Sequence, residues 1–245
     1  MRSFSVVIPL IPVHDKEIYR ILPYLALNNA WIKEVIVCRS ETPEHQTKKV
    51  EKKFQKWANK FDLGVPLILS SVSNIAYDGT NRNRGIALSS GEFIAFLDSD
   101  DRYATGMFNV LNQIFALTSA KAILHSYAMD RAAMDCSLDF QPAKLNKLVY
   151  PKEATSLEFN IPIQTEDGSD LPIIHHAHLT VRRAAFTELY LDIFPGADTE
   201  FCKRLILSGV EVLHIDQKLS YWNRKRSVRY YLRRLRFKLS KQNGL

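Results

Sequence analysis

GEFIAFLDSDDRY, residues 91–103, sets an apolar run from Phe93 to Leu97 directly before three carboxylates, Asp98, Asp100 and Asp101, with only Ser99 between them. A short, continuously apolar run bounded by turn residues reads as a buried strand. Neighbouring carboxylates at its end repel one another, and an Asp capping the next helix accounts for one of them but not for the cluster. A divalent cation relieves the repulsion. Carboxylate oxygens with no Cys or His nearby favour a hard ion, Mg²⁺ or Mn²⁺, held through one or two carboxylates plus substrate phosphates.

Upstream of this stretch, strands and helices alternate. FSVVI (4–8), EVIVC (34–38) and PLILS (66–70) read as buried strands, and the segments at about 17–29, 44–60 and 80–90 as helices. Repeated strand and helix imply an α/β fold with a Rossmann-like, doubly wound, mostly parallel sheet, whose ligands bind beyond the carboxyl ends of the strands. A helix at about 105–117 and a strand AILHSY (122–127) continue the pattern. Regularity fails from about 130 to 172, where the turn-like EDGSD (166–170) stands out. It returns with a helix at about 198–208 ended by Gly209 and a strand VEVLHI (210–215). The chain is thus expected to form one domain over 1–222, with halves 1–104 and 105–222, followed by a basic amphipathic helix over 223–245.

At 245 residues and 46% hydrophobic content the chain can bury a full core, and no run is long enough to span a membrane. The N-terminal MRSFSVVIPL leads into a strand rather than a signal peptide, so a cytoplasmic protein is expected. Cys38, Cys136 and Cys202 are too scattered for a disulfide framework or a zinc knuckle. The net charge of +7 belongs to the tail: residues 224–241 hold nine Lys and Arg and no acid, and subtracting these nine leaves −2 for the rest. That distribution argues against nucleic acid as the partner. Val228, Tyr231, Leu232, Leu235 and Leu239 recur at helical spacing among those charges, a pattern that suits peripheral contact with an anionic membrane surface and equally suits packing on the domain.

DGTNRNRGIALSSGE, residues 78–92, places Arg82 and Arg84 at an expected helix start, whose free amides favour anions such as a diphosphate. Asn83 and Gly85 would let the backbone approach a ligand. The other reading is a solvated helix start with two surface arginines.

NRNRGIALSSGEFIAFLDSDD, following FSVVIPL and EVIVC at these intervals, resembles the nucleotide-sugar half of a family 2 glycosyltransferase of the GT-A fold. Arg82, Asn83 and Gly85 match the family's Arg-Asn-x-Gly helix, Gly91 and Glu92 its Gly-Glu pair, and Asp98 and Asp100 its Asp-x-Asp. FPGADTEFCKRLILSGVEVLHID, residues 194–216, resembles the Gly-Glu-Asp-x-(Asp/Glu) helix and the strand after it, which implies that Asp198 is the general base. A helix cap is the plainer role for the same residue. The resemblance implies a nucleoside-diphosphate sugar donor, Mn²⁺ or Mg²⁺ on Asp98, Asp100 and Asp101, and inverting transfer to a glycan or lipid-linked acceptor in glycan biosynthesis. Donor contacts are expected from Pro9, Arg39, Glu41, Arg82, Asn83, Asp98, Ser99 and Arg224, and acceptor contacts from His175, His176 and Trp222.

The chain departs from the family where Ala197 replaces the Glu before the base, and where Arg39 and Ser40 stand in place of two acids after the second strand. Glu41 or Asp15 could replace those acids, or Arg39 could contact a phosphate. An inactive GT-A-like domain serving as a membrane-surface or nucleic-acid binder is the rival reading. A nucleotidyltransferase lacks its glycine-rich loop in PLIPVHDK. A haloacid-dehalogenase-like phosphatase would carry its Asp-x-Asp on a strand near the N-terminus, whereas three strands precede it here.

Overall fold

The computed structural model describes residues 3–129, 139–150, 162–171, 178–186, 189–191 and 196–223. The first three strands, β1 (Phe4–Leu10), β2 (Ile32–Arg39) and β3 (Leu67–Ser71), alternate with α1 (Asp15–Ala26) and α2 (Glu44–Lys60), and α3 (Asp78–Leu88) leads to β4 (Phe93–Phe96). All seven residues of β1 and all four of β4 are buried, as expected of strands covered on both faces. The helices bury stripes at helical spacing: Ile18, Ile21, Leu22 and Leu25 on α1, and Val50, Phe54 and Ala58 on α2.

After β4 come β5 (Arg102–Tyr103), α4 (Met107–Leu117), β6 (Ala122–Ala128), β7 (Leu145–Val149), β8 (Gln164–Thr165), β9 (Leu179–Arg182), α5 (Ala197–Leu207) and β10 (Val212–Tyr221). Among the described residues the sheet has ten strands in the order β3-β2-β1-β4-β9-β6-β10-β7-β8, with β5 on β10. The pairs β3–β2, β2–β1, β1–β4 and β6–β10 are parallel. One core packs α1, α2 and α4 on one face, and a second packs side chains of α3 and α5 on the other. This is the doubly wound α/β architecture that the alternating pattern implies.

Three features differ from the expectation. β9 inserts antiparallel between β4 and β6 and joins the two halves of the sheet. Only Leu179, Thr180, Val181 and Arg182 form it, too short a run to declare its neighbours. β10 continues to Tyr221 rather than stopping at Ile215, because Asp216 and Lys218 face solvent while Gln217 and Leu219 are buried, with register shifts between Ile215 and Ser220. Part of the irregular region is β7 and β8, the latter running into the EDGSD turn, where Gly168 takes φ 87°. Residues 224–245, with the expected C-terminal helix, lie outside the described residues apart from its first position, Asn223, as does Cys136. Cys38 and Cys202 are buried thiols, each pushed up to about 12 chiefly by burial. Among the described residues no helix is long and apolar enough to cross a membrane.

Gly85 sets how closely α3 lies on the sheet. A Cβ there would meet Val7 Cγ1 at 2.2 Å and Cγ2 at 2.9 Å, so its smallness serves contact with β1 rather than with a ligand. Gly85→Ala should therefore destabilise the fold by about 2 kcal/mol, within the range for overpacking a core. Urea denaturation would measure it, and Val7→Ala in the same chain should recover part of the loss.

Candidate active site

The chain runs from β1 outward through β2 to β3 on one side and then returns to place β4 on the other side of β1, so the crevice beyond the carboxyl ends of β1 and β4 is a topological switch point. Two loops line it. The turn Pro12–His14 follows β1 and the acidic stretch follows β4, and His14 Nδ1 lies 3.2 Å from Ser99 Oγ across the crevice. Pro9 is buried in β1 level with Cys38, and Ser99 is also buried. His14 is a site residue that the sequence did not single out, since its partner lies 85 positions away.

The three carboxylates have different surroundings. Asp98 keeps 24% of its side chain exposed and accepts from Arg82 Nη2 through Oδ1. Asp100 is pushed up to about 6 by burial first, then by the charges of Asp98 and Glu17. Asp101 is 1% exposed, and burial, then Asp98 and Asp100, raise it well above the ordinary carboxylate range; its Oδ1 accepts the Asn223 N–H at 2.9 Å. Asp101 thus ties the end of β10 to the acidic turn, while Asp98 and Asp100 are less deeply buried. Among the described residues no three His, Cys, Asp or Glu side chains form a metal cage. A cation on Asp98 and Asp100 would complete its shell with water or phosphate oxygens, as Mg²⁺ sites commonly do.

Arg82 is neither at a helix start nor on the surface. α3 begins at Asp78, which puts Arg82 in its second turn, fully buried, with Nε and Nη1 lacking a hydrogen-bond partner among the described residues. Its guanidinium lies 6.0 Å from the centroid of the Tyr190 ring. Burial raises the Tyr190 hydroxyl well above its usual range, Arg82 opposes the shift, and Asp198 and Asp98 add to it. The field at that hydroxyl therefore includes residues from both halves of the chain: Arg82 and Asp98 from the first, Asp198 from the second. Tyr190 is the link that the sequence did not reveal.

Asp198 lies in the first turn of α5, behind an N-cap that is Gly196 at φ 102°, and its Oδ1 accepts the Thr199 N–H at 2.9 Å. Asp198 is thus not the N-cap residue, although its carboxylate takes one of the first-turn amides. Ala197 is buried, at 4% exposure, where a glutamate would lose hydration. Glu200 pairs with Arg204, which also donates to the Leu189 carbonyl and braces the segment before Tyr190.

Other expected donor contacts have protein partners. Arg39 is buried, donating through Nε to Asp15 Oδ1 at 2.8 Å and through Nη1 to Thr42, while Lys53 shares Asp15. This network accounts for a basic residue at the end of β2 without a phosphate. Glu41 is exposed in the left-handed region, at φ 54°. The Asn83 side chain clamps the Tyr190 backbone, donating to its carbonyl at 2.8 Å and accepting its N–H at 2.9 Å. Trp222 donates its backbone N–H to the Ala128 carbonyl, and its ring meets Tyr127 edge-on at 5.3 Å. His175, His176 and Arg224 lie outside the described residues.

The sheet order, with acids at the switch point, is that of the GT-A fold. The particular structures that the chain resembles are those of S. aureus TarS. TarS 1–349 in complex with UDP-GlcNAc matches at a TM-score of 0.65 with 17% identity over 94% of this chain and 60% of that one. TarS 1–349 in complex with UDP matches at 0.61 with 16% identity, covering 90% and 60%, and the longer S. aureus TarS chain at 0.59 with 17%, covering 95% and 38%. The chain thus spans 60% of the length of TarS 1–349. No protein-family model and no curated protein matches the sequence.

Proposed function

We propose that the chain transfers a sugar from a nucleoside-diphosphate donor to an acceptor hydroxyl. The observation that carries this is buried Arg82, paired with Asp98 and lying beside the Tyr190 ring, on a fold whose structural neighbours were solved with UDP-GlcNAc and UDP. Arg82, with two buried donors lacking partners among the described residues, suits an incoming phosphate oxygen. Asp98 and Asp100 would hold Mn²⁺ or Mg²⁺, and such an ion, when bound, offsets the charge that develops on the departing diphosphate. Asp101 holds the turn. Asp198 accepts the proton of the acceptor hydroxyl while its oxygen bonds to the anomeric carbon and the bond to the diphosphate breaks; attack from the opposite face inverts the centre.

Equilibrium dialysis against UDP tests the donor half. UDP should be retained in Mn²⁺ and largely released by EDTA, and failure to retain it in either Mn²⁺ or Mg²⁺ would overturn the reading. Residues 224–241 would add peripheral contact with anionic lipid, each well-placed Lys or Arg contributing roughly 1 kcal/mol. Truncation after Trp222, or about 0.5 M salt, should then release the protein from sedimenting anionic vesicles.

A further inference from the structure

A second polar cavity, of about 370 Å³, lies along β6 and β10 and is walled by β7 and the turn after β8. His125, His178 and His214 contribute to its lining, as do Asp167, Asp170 and Asp216. Among the described residues no Lys or Arg lines it. His125 is 2% exposed, and neither of its ring nitrogens has a hydrogen-bond partner among the described residues. Burial, and then His214, hold it down at about 3, so the ring is neutral and presents one donor and one acceptor. Leaving both unused in a core is destabilising, and hydrocarbon of similar shape would avoid the penalty. Beside it, Ser126 Oγ donates to Asp216 Oδ1 at 2.8 Å and lies 3.2 Å from His214 Nε2.

His178 and Tyr127 of the cavity lining link it to the acidic turn. β9 pairs Thr180 with Ala95 of β4, and continuing that register sets His178 level with Leu97, the residue before Asp98. Tyr127 stacks on His178 with ring centroids 4.4 Å apart and meets Trp222, whose neighbour Asn223 donates to Asp101.

We propose that this cavity is the acceptor subsite and that it takes an uncharged, hydroxyl-rich sugar residue. The inference rests on the glycosyl-transfer reading and narrows its acceptor. A carboxylate accepts from adjacent hydroxyls and a neutral imidazole both donates to and accepts from them, a combination suited to a sugar ring. Among the described lining residues a phosphate-bearing acceptor would meet three aspartates and no cation to offset them.

Histidine imidazole signals of the full chain, followed by NMR in Mg²⁺ and UDP, provide the test. The probes are methyl α-glucopyranoside, methyl β-galactopyranoside and methyl N-acetyl-β-glucosaminide, with glucose 6-phosphate and glycerol 1-phosphate as charged counterparts. At least one methyl glycoside should shift the His125 and His178 signals saturably, and the phosphates should not. His125→Phe should abolish the response at His178 without lowering the melting temperature or UDP retention. Asp216→Asn, at an exposed position, should weaken glycoside binding about tenfold, the scale of one charged hydrogen bond. Equal or stronger binding of the phosphates, or no response to any glycoside while UDP is retained, would overturn the proposal, as would full binding by His125→Phe. Saturable glycoside shifts without UDP retention would support the sugar cavity and count against the donor reading alone.

Discussion

Asp198→Asn is expected to lower sugar transfer by about 10²-fold or more while leaving UDP retention unchanged, the usual scale for removal of a general base. The substitution preserves shape, and an amide oxygen can still accept the Thr199 N–H that Oδ1 takes in the parent. Since Gly196 supplies the N-cap of α5, the helix keeps its start. Loss of a negative charge from the first helical turn costs only about 0.3–1 kcal/mol. UDP release from UDP-GlcNAc, measured beside equilibrium dialysis of UDP, separates the two effects. Equal losses in binding and turnover would assign Asp198 a structural role.

Asp100→Asn is expected to act in opposite directions on binding and on stability. Metal-dependent retention of UDP should collapse, because a carboxylate proposed to face the cation is gone. Without metal, the variant should be more stable than the parent at pH 7. Asp100 has a folded-state value of about 6 against an ordinary 3.8, so the folded chain binds its proton more tightly than the unfolded chain does. Ionised Asp100 therefore destabilises the metal-free fold above about pH 6, and stability returns as pH falls through 6 toward 4. That difference corresponds to about 3 kcal/mol, and water reaching the partly exposed group reduces this to about 2 kcal/mol. Thermal melts in EDTA should show that advantage at pH 7, a smaller one at pH 5 and almost none near pH 4. The shape and capping ability of Asn would by themselves leave melting almost unchanged, so a flat comparison across this range would show that Asp100 is better hydrated than its burial implies.

The parallel half of the fold was legible because burial on both faces leaves a local trace. FSVVI, EVIVC and FIAF are mostly apolar runs, broken only by Ser5 and Glu34, and Glu44–Lys60 carries a helical stripe whose bounds agree with the observed helix. The acidic turn was legible for a related reason: three carboxylates in four residues form a local electrostatic problem wherever the chain goes. The resemblance through residues 81–101 carried the GT-A expectation, and the sheet order has the same arrangement.

Choice of partner was not legible, because it depends on residues far apart in sequence. Arg39 could have met a phosphate until packing brought Asp15 and Thr42 to its guanidinium. Asn83 grips Tyr190 across 107 positions, a contact that converts an apparent ligand-facing residue into a clamp. β9 found its place between β4 and β6 through backbone hydrogen bonds that four residues do not specify alone. The sequence by itself determined which segments are buried, their periodicity and the acidic end of β4. Only the tertiary structure decided that Arg82 is buried against Asp98, that Asn83 holds the Tyr190 backbone, and that His125 lines a cavity with neither nitrogen bonded within the described residues. Burial is encoded by the spacing of apolar residues along the chain, whereas a polar side chain's role is set by which distant groups the fold brings within hydrogen-bonding reach.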